Sequence, residues 1–326
     1  MTDAVAADAP RVVALAGGVG GAKLAHGLAA HVGDRLTVVV NTGDDTERHG
    51  LLVMPDHDTV MYTLAGIANR QWGWGIEGET YNADEFLAKY GQETWFRLGD
   101  RDLATAMVRT ARLRDGTRLT DVVRGLQRAH GVGPAILPMT DEPVRTEVRT
   151  DDGWLDFQEY FVHRRQEPEV HEVRFGGIEM AEVTPEVVEA LATADVIAIA
   201  PSNPIVSVAP ILAVPGVMDA VIGGRERGVP VVAVSGIIGG KALKGPADRM
   251  LASLGHEASA VGVARGYAGL VDVFLIDRVD EALAPAVEAL GMRAVVTDTV
   301  MADDAGRARL AGELLAAAAG AAWTAA

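Results

Sequence analysis

Cysteine is absent from this chain of 326 residues. Disulfide bonds, zinc–thiolate centres, iron–sulfur clusters and a thiol nucleophile are therefore excluded, and the composition fits a reducing compartment such as the cytoplasm. The sequence also lacks a GxSxG nucleophile elbow, so serine hydrolase chemistry has no support. The eight histidines show neither an HExxH arrangement nor any other zinc spacing.

Basic residues are scarce as well, with 29 Lys and Arg against 45 Asp and Glu and a formal net charge of −16. A charge of this sign repels nucleic-acid phosphates and anionic lipid surfaces, so we expect neither nucleic acid nor a membrane as a partner. An anionic small substrate would need a local group of backbone amides, Arg, Lys or a metal ion that works against the overall field.

Long apolar runs are missing from both ends of the chain. Residues 1–10 have no basic segment followed by an apolar stretch, which indicates a frayed terminus rather than a targeting signal. The Ala-rich residues 314–326 are too short and too weakly apolar to span a bilayer, and they predict a C-terminal surface helix.

The beginning of the chain has the pattern of a β-loop-α-β unit. An apolar run at 11–16 precedes a glycine cluster, a helix pattern covers 23–30, and a second apolar run covers 36–40. Further strand-like runs, which alternate with helix patterns at 185–194 and 279–290, lie at 196–200, 229–234, 271–276 and 293–297. We therefore predict an α/β fold with a Rossmann-like, doubly wound, mostly parallel sheet, formed by residues 11–57 and 184–326.

Residues 58–183 have a different pattern and predict an insertion of helices and a β-hairpin. Helices are expected at 58–68, 100–114 and 119–130, with Asp58 and Asp100 as N-caps. Alternating runs at 145–150 and 155–163 flank a glycine-containing turn and predict the hairpin. No low-complexity linker is present, so we expect the insertion to pack on the sheet.

The glycine cluster is the strongest local signal, because it lies between a predicted strand and a predicted helix. Its backbone amides and the helix N-terminus can surround phosphate oxygens. The residues are Gly17, Gly18, Val19, Gly20, Gly21, Ala22 and Lys23. A Walker A ending is absent, and Lys23 occupies the place of the third glycine of the Rossmann fingerprint. The alternative is a tight turn without a ligand.

Acidic residues follow the second strand and open the next helix. Asp44 and Asp45 could ligate magnesium or hold a ribose hydroxyl, although an Asp-rich capped loop would look the same. Asp56 and Asp58 are two residues apart, a spacing that can aim both at one divalent cation or leave one as a base. Asp58 could equally be only a cap. Arg101, in LGDRD, could clamp a phosphate or be a solvated helix residue.

A turn after the strand at 196–200 places further polar groups at the same sheet edge as the glycines. The turn contains Ser202, Asn203 and Pro204, which could contact a base, a ribose or a phosphate, or could simply form a Pro-bounded turn. Residues 235–241, after the next strand, repeat the pattern of small residues plus Lys.

Several segments in fixed order resemble the 2-phospho-L-lactate transferase family of deazaflavin (coenzyme F420) biosynthesis. The resemblance runs from Val12 to the final helices and includes ALAGGVGGAKLAHGL, LTVVVNTGDD, PDHDTVMY, LGDRDLAT, ILPMTDEPV and IAPSNPIVS. It implies a cytoplasmic homodimer and a Mg²⁺-dependent reaction. In that reaction the ribityl hydroxyl of a deazaflavin attacks a guanosine-diphosphate-linked three-carbon acid and GMP leaves.

The resemblance also implies roles for the residues described above. Asp58 and Arg101 match family positions associated with the deazaflavin acceptor, which places the acceptor side in the insertion. The glycine loop, with Gly17, Gly18, Gly20, Gly21 and Lys23, would hold the donor. Ser202, Asn203 and Pro204 would help to place its guanosine or phosphates. We expect Asp44, Asp45 and Asp58 to ligate Mg²⁺, with Asp58 also near enough to accept the hydroxyl proton.

Two other functions are compatible with parts of the sequence. One is a sugar-nucleotide-binding regulator of the gluconeogenesis-factor type, which shares the glycine loop and the strand ending in Asp-Asp. The PDHDTVMY and LGDRD segments favour the transferase, because a sensor needs no acceptor pocket. The other is a nicotinamide-dependent dehydrogenase, which the missing third glycine disfavours. The sequence leaves open which acid is carried and which group is the base.

Overall fold

A computed structural model describes residues 9–321 of the chain. The predictions for residues 1–8 and for 322–326 therefore lie outside the described residues. The described strands are β1 Val12–Ala16, β2 Leu36–Val40, β3 Thr46–Arg48, β4 Leu51–Val53, β5 Ala135–Pro138, β6 Arg145–Thr150, β7 Gly153–Asp156, β8 Glu172–Gly176, β9 Val196–Ile199, β10 Val231–Val234, β11 Ile237–Ile238, β12 Lys241–Ala242, β13 Val273–Asp277 and β14 Arg293–Thr297.

Helices cover both faces of the main sheet, and short 3₁₀ or π turns join several elements. The α-helices are α1 Gly18–Val32, α2 Pro55–Leu64, α3 Asn82–Lys89, α4 Asp100–Arg114, α5 Leu119–Ala129, α6 Pro185–Thr193, α7 Ala209–Ala213, α8 Val217–Glu226, α9 Ala247–Ser253, α10 Ala260–Gly266, α11 Ala284–Glu288 and α12 Asp304–Ala321. One apolar core lies between the sheet and α1, α2 and α12, and a second lies on the opposite face under α6, α8 and α10.

The main sheet has seven parallel strands in the order β14-β13-β10-β9-β1-β2-β5. The strand order reverses between β1 and β9, which pair with Leu15 opposite Ile199. Ligands of open α/β sheets bind outside the carboxyl ends of the strands at such a reversal. The predicted doubly wound α/β fold is confirmed, and a ligand site is expected at the loops that follow β1 and β9.

The predicted insertion is joined to this sheet more closely than the sequence indicated. β5, within residues 58–183, pairs in parallel with β2 as the edge strand of the main sheet. The remainder includes the helices α3 to α5 and a separate antiparallel sheet in the order β7-β6-β8. The hairpin of β6 and β7 was expected, whereas the third strand, β8, was not.

Two element boundaries differ from the predictions. The first helix begins at Gly18, not at residue 23, so most of the glycine cluster forms its first turn. The strand expected to reach residue 163 ends at Asp156, because the chain turns into a π-helical segment, Glu159–His163. The aromatic residues Phe157, Tyr160 and Phe161 are spaced three and four positions apart. This spacing suits a helical turn that packs on a small apolar cluster of its own, separate from the two cores of the main sheet.

The two expected N-caps are also wrong. α2 begins at Pro55 with Met54 at its N-cap, and α4 begins at Asp100 with Gly99 at its N-cap. Asp58 lies inside the first turn of α2. The Asp100 carboxylate instead accepts hydrogen bonds from the backbone amides of Asn82 and Ala83, at the start of α3.

No single helix in the described range 9–321 is long and apolar enough to cross a bilayer. One bent pair, Pro204–Ala213 with Val217–Glu226, reaches the required length and composition with an 84° bend.

Candidate functional site

A cavity of about 630 Å³ lies at the carboxyl ends of β1 and β9, where the strand order reverses. Its inner end is formed by the glycine loop, by the start of α2 and by the Pro201–Ser202 turn. Its outer end is formed by aromatic side chains of the insertion. The volume falls in the range of small-molecule sites.

Several helices begin at this cavity. Gly18 of α1, Asp56 of α2 and Asp102 of α4 line it, and each belongs to the first turn of its helix. Amides at a helix start have no partner within the helix, and the helix dipole places partial positive charge there. The convergence favours an anionic ligand despite the net charge of the chain.

Ser202 fixes the glycine loop. Its hydroxyl accepts a hydrogen bond from the Gly17 amide at 3.1 Å and donates one to the Gly17 carbonyl at 2.8 Å. A Cβ at Gly20 would lie 2.3 Å from the Pro201 carbonyl oxygen, so only glycine permits this approach of the two loops. Gly18 has a φ of +59°, which also favours glycine. The loop therefore presents bare backbone at the inner end of the cavity.

Asp44 and Asp56 form the acidic part of the inner end, and both are buried while lining the cavity. The Asn41 amide donates to Asp56 Oδ2 at 3.0 Å and its carbonyl oxygen accepts from the Gly43 amide at 2.8 Å, which holds the two segments together. Burial raises the pKa of Asp56 to about 6, against hydrogen bonds from Asn41 and the Gly18 amide. Burial and then the charge of Asp56 raise the pKa of Asp44 well above its usual range.

Asp45 is buried beside this pair but is not part of the cavity lining. Burial raises its pKa as well. Asp44 Oδ1 and Asp45 Oδ1 have no hydrogen-bond partner within residues 9–321. Such orphaned, mutually repelling carboxylate oxygens are the kind that a cation would satisfy.

A magnesium ion fits this donor set in one particular way. In the described part of the chain, no group of three or more His, Cys, Asp or Glu side chains is arranged to hold a metal. A cage made only of protein side chains is therefore not present there. Mg²⁺ is commonly bound by one or two carboxylates and completed by water and substrate phosphates, which suits Asp44 and Asp56 beside the glycine loop.

Asp58 faces the same cavity but is already paired. Its Oδ1 accepts a very short hydrogen bond from Nη2 of Arg109, whose side chain is fully buried, and lies 3.4 Å from His57 Nδ1. Burial alone would raise the pKa of Asp58, but Arg109 and His57 together hold it below the usual value. Arg109 also donates to the Leu52 carbonyl at 3.1 Å.

Asp102 is a cavity residue that the sequence reasoning did not single out. Burial raises its pKa to about 7, with a further contribution from the charge of Asp58, while the Tyr62 hydroxyl lowers it through a hydrogen bond. The Tyr62 hydroxyl oxygen also lies 3.0 Å from Thr105 Oγ1. Asp102 is therefore a carboxylate that can exchange a proton near neutral pH.

One sequence signal could have identified Asp102 and Arg109. Asp102, Thr105 and Arg109 are spaced three and four residues apart on α4, so they share one helix face. Charged and hydroxyl-bearing residues at helical spacing often form a solvent-exposed helix face. On α4, however, Thr105 and Arg109 are buried. Pairing that face with the Asp-rich start of α2 would have required the tertiary structure.

The outer end of the cavity is an aromatic wall, defined by Trp72, Trp74, Trp95, Phe96, Phe157 and Phe161. Trp95 is held between the Arg48 guanidinium, 3.8 Å from its ring centroid, and the His163 ring, stacked at 4.7 Å. These two groups cover the Trp95 ring, whereas Trp72 and Trp74 remain exposed, and flat aromatic faces of that kind suit a ligand with a planar ring system.

The cavity brings together seven of the predicted site residues, which are Gly17, Gly18, Gly20, Asp44, Asp58, Ser202 and Asn203. Five others are not among its lining residues, namely Gly21, Lys23, Asp45, Arg101 and Pro204. Asn203 uses its side-chain oxygen to accept the Ile205 amide at 2.9 Å. Arg101 donates from Nη1 to the Glu77 carbonyl at 2.9 Å and lines a separate, open pocket. The roles predicted for these residues stay predictions.

Comparison with known proteins gives a consistent result. A family model described as 2-phospho-L-lactate transferase CofD matches residues 12–315. A phosphoenolpyruvate transferase of Streptomyces griseus subsp. griseus is 45% identical over 312 residues, covering 94% of this chain and 97% of that protein. A 2-phospho-L-lactate transferase of Methanosarcina mazei is 40% identical over 291 residues, covering 89% and 94%.

Among solved structures, a UPF0052-family protein of Bacillus halodurans superposes with a TM-score of 0.64 at 14% identity. The match covers 95% of this chain and 100% of that one. At this identity the likeness concerns the fold alone.

Proposed function

Because the chain belongs to the 2-phospho-L-lactate transferase family, we propose that it transfers a phosphorylated three-carbon acid to a deazaflavin. The donor is a guanosine-diphosphate-linked phospholactate or phosphoenolpyruvate, the acceptor is the ribityl hydroxyl of 7,8-didemethyl-8-hydroxy-5-deazariboflavin, and GMP is released. The step belongs to coenzyme F420 biosynthesis. The same relatives favour this function over the sugar-nucleotide regulator and the dehydrogenase.

One observation carries the proposal: a single cavity joins an anion-binding end to an aromatic wall. The glycine loop and the converging helix starts suit the diphosphate. The aromatic wall suits the tricyclic ring of the acceptor. Asp58 and Asp102 line the same cavity, and the proposed reaction would take place beside them.

The carboxylates of the cavity have different surroundings, and we assign them different roles. Asp44 and Asp56 would hold Mg²⁺. Asp56 takes the place of the two other predicted ligands, because Asp45 does not line the cavity and Asp58 is already paired with Arg109. A bound Mg²⁺ would supply positive charge that neutralises the phosphates. Asp58, kept ionised by Arg109, would accept hydrogen bonds from the ribityl hydroxyls. Arg101 is not placed in this set, since it lies outside the cavity.

Asp102 is the proton acceptor in this mechanism. The ribityl oxygen forms a bond to the phosphorus that carries the three-carbon acid, and its proton passes to the Asp102 carboxylate. The bond from that phosphorus to the bridging oxygen breaks, and GMP leaves with the electron pair. Asp102 suits the role better than Asp58, because its pKa of about 7 leaves it able to take a proton, whereas Arg109 stabilises the charged form of Asp58.

The direct test supplies the full chain with the fluorescent deazaflavin, Mg²⁺ and each of the two guanosine-linked donors. Formation of one GMP for each deazaflavin phosphodiester is expected with at least one donor. Titrations with GDP, a UDP-sugar and NAD run beside it as binding controls. Binding of a UDP-sugar or NAD in place of GDP, with no affinity for deazaflavin, would rule the transferase out.

We also propose that the protein is a homodimer, as the family resemblance implies. Val188 on α6 and the pair Met218 and Ile222, one turn apart on α8, are apolar side chains that remain partly exposed in the single chain. Light scattering of the purified protein should give twice the mass of 34.2 kDa for one chain. A monomer at micromolar concentration would contradict the proposal.

A further inference from the structure

A second, smaller pocket of about 60 Å³ lies on the other side of Val19 from the main cavity. Lys23 and His26 of α1 and Arg307 of α12 form its inner wall, and Arg70 and Lys244 lie at its rim. No acidic side chain of residues 9–321 lines it. Five basic groups thus meet at one point of a chain whose net charge is −16.

The inner wall contains buried nitrogen atoms that lack a hydrogen-bond partner, and one of them, Arg307 Nε, is always a donor. Arg307 Nε and His26 Nδ1 are buried and have no hydrogen-bond partner among the described residues. The Arg307 side chain is only 16% exposed, and its other contact is an ion pair from Nη1 to Asp304 Oδ1 at 3.1 Å. An unpaired buried donor is costly, so its retention indicates a ligand that accepts the hydrogen bond.

The basic groups also repel one another. Burial lowers the pKa of Lys23, and the charges of Arg307 and Lys244 lower it further. Burial and then Arg307 lower the pKa of His26. Both effects would be reversed by an anion between these groups, because an opposite charge stabilises the protonated forms.

The position of Arg307 is set by backbone packing. A Cβ at Gly27 would lie 2.1 Å from the Arg307 carbonyl oxygen, so α12 can approach α1 this closely only at a glycine. Lys23 is anchored across the same interface, because its Nζ donates to the Met301 carbonyl at 2.9 Å. The inner wall of the pocket is therefore held by packed helices, whereas Arg70 and Lys244 at the rim are exposed.

We propose that this pocket is an oxyanion subsite that takes one compact group of the phosphate class. Its size admits a single tetrahedral group, and its donors converge from two helices. The group could come from free inorganic phosphate or from a phosphate of the nucleotide in the main cavity, because Val19 and Lys244 line both spaces. The subsite exists independently of the proposed transfer reaction.

The test is calorimetric titration of the full chain with sodium phosphate at constant ionic strength. Arg307→Gln should weaken phosphate binding at least tenfold. Arg309→Gln is the matched control, since Arg309 lies on the same helix, pairs with Glu313 at 3.1 Å and does not line the pocket. His26→Asn is a second variant that keeps the main cavity intact, and it should also weaken phosphate binding. Unfolding temperatures report that each variant is folded.

Repeating the titration with saturating GDP separates the two sources. Simultaneous binding identifies free phosphate as the occupant, whereas loss of phosphate binding identifies a nucleotide phosphate. Equal phosphate affinity in wild type and Arg307→Gln, or no binding by the wild type, would overturn the subsite. Phosphate binding without any GDP binding would instead contradict the transferase and leave the subsite standing.

Discussion

Arg109 on α4 donates to Asp58 on α2 at a point where the guanidinium is fully buried and the carboxylate side chain is 11% exposed. Arg109→Gln removes one partner of a buried ion pair, which typically costs about 3–5 kcal/mol of unfolding free energy. The double variant Asp58→Asn/Arg109→Gln should recover part of that loss. Urea unfolding measures both effects. Arg112→Gln, at an exposed position of the same helix, should be nearly neutral, and an equally small effect at Arg109 would show that the buried ion pair does not stabilise the fold.

Asp102→Asn should lower kcat about 100-fold, within the range attributed to general bases, while GDP affinity stays within about twofold. In the wild type, kcat should rise as the pH increases through about 7, because the carboxylate must lose its proton to act as a base. This limb of the pH profile, the rise of kcat near pH 7, should be absent in Asp102→Asn. Tyr62→Phe should move the limb to higher pH, since the hydroxyl lowers the pKa of Asp102. An unchanged profile in both variants would exclude Asp102 as the base.

Mg²⁺ should stabilise the protein more at neutral than at acidic pH. The pKa of Asp56 is about 6 in the folded chain against 3.8 ordinarily. Its favourable contribution to the free energy of unfolding is therefore fully present below pH 3.8 and is lost as the pH rises through about 6. A cation bound to the ionised carboxylates reverses that loss. Thermal unfolding with and without Mg²⁺ at about pH 5 and 7.5 measures the difference.

Asp56→Asn provides the check on that prediction. The variant should unfold at a higher temperature than the wild type at neutral pH without Mg²⁺, and should gain little when Mg²⁺ is added. Asp121→Asn, at an exposed position of α5 where the carboxylate pairs with Arg124, should keep the wild-type response. A wild-type Mg²⁺ effect in Asp56→Asn would remove Asp56 from the proposed metal site.

Ser202→Ala should weaken GDP binding about five- to tenfold, which corresponds to the loss of about one net hydrogen bond. The reason is that both bonds from its hydroxyl hold Gly17, so the loop amides lose their fixed orientation. Fluorescence or calorimetric titration measures the change. Ser253→Ala, whose hydroxyl bonds only within its own helix, is the control. Equal affinities in the two variants would show that the hydroxyl does not organise the loop.

The sequence predicted the sheet well because buried parallel strands are continuous apolar runs with little ambiguity. The run at 36–40 and the strand β2 coincide, as do the run at 293–297 and β14. It predicted the end of β7 less well, since an aromatic run can continue as a strand or turn into a helix. That choice depended on the packing of Phe157 and Tyr160 on other elements.

Sheet topology made the candidate site predictable where its residues follow strands directly. Gly17, Asp44 and Ser202 come after β1, β2 and β9, so the rule for parallel sheets brought them together from the sequence. Arg109 and Asp102 belong to an inserted helix, whose orientation against α2 depends on tertiary packing. No local pattern records that Arg109 faces Asp58.

The edge strand β5 limits how the two substrates can be enclosed. It divides the inserted chain into one stretch that carries Trp72 and Trp95 and another that carries Phe157, and it ties both to β2 by parallel pairing. Closing the insertion over the sheet as a single rigid cap would break that pairing. Any movement that widens or narrows the cavity is therefore expected in smaller segments, such as the loop between α2 and α3 that carries Trp72 and Trp74.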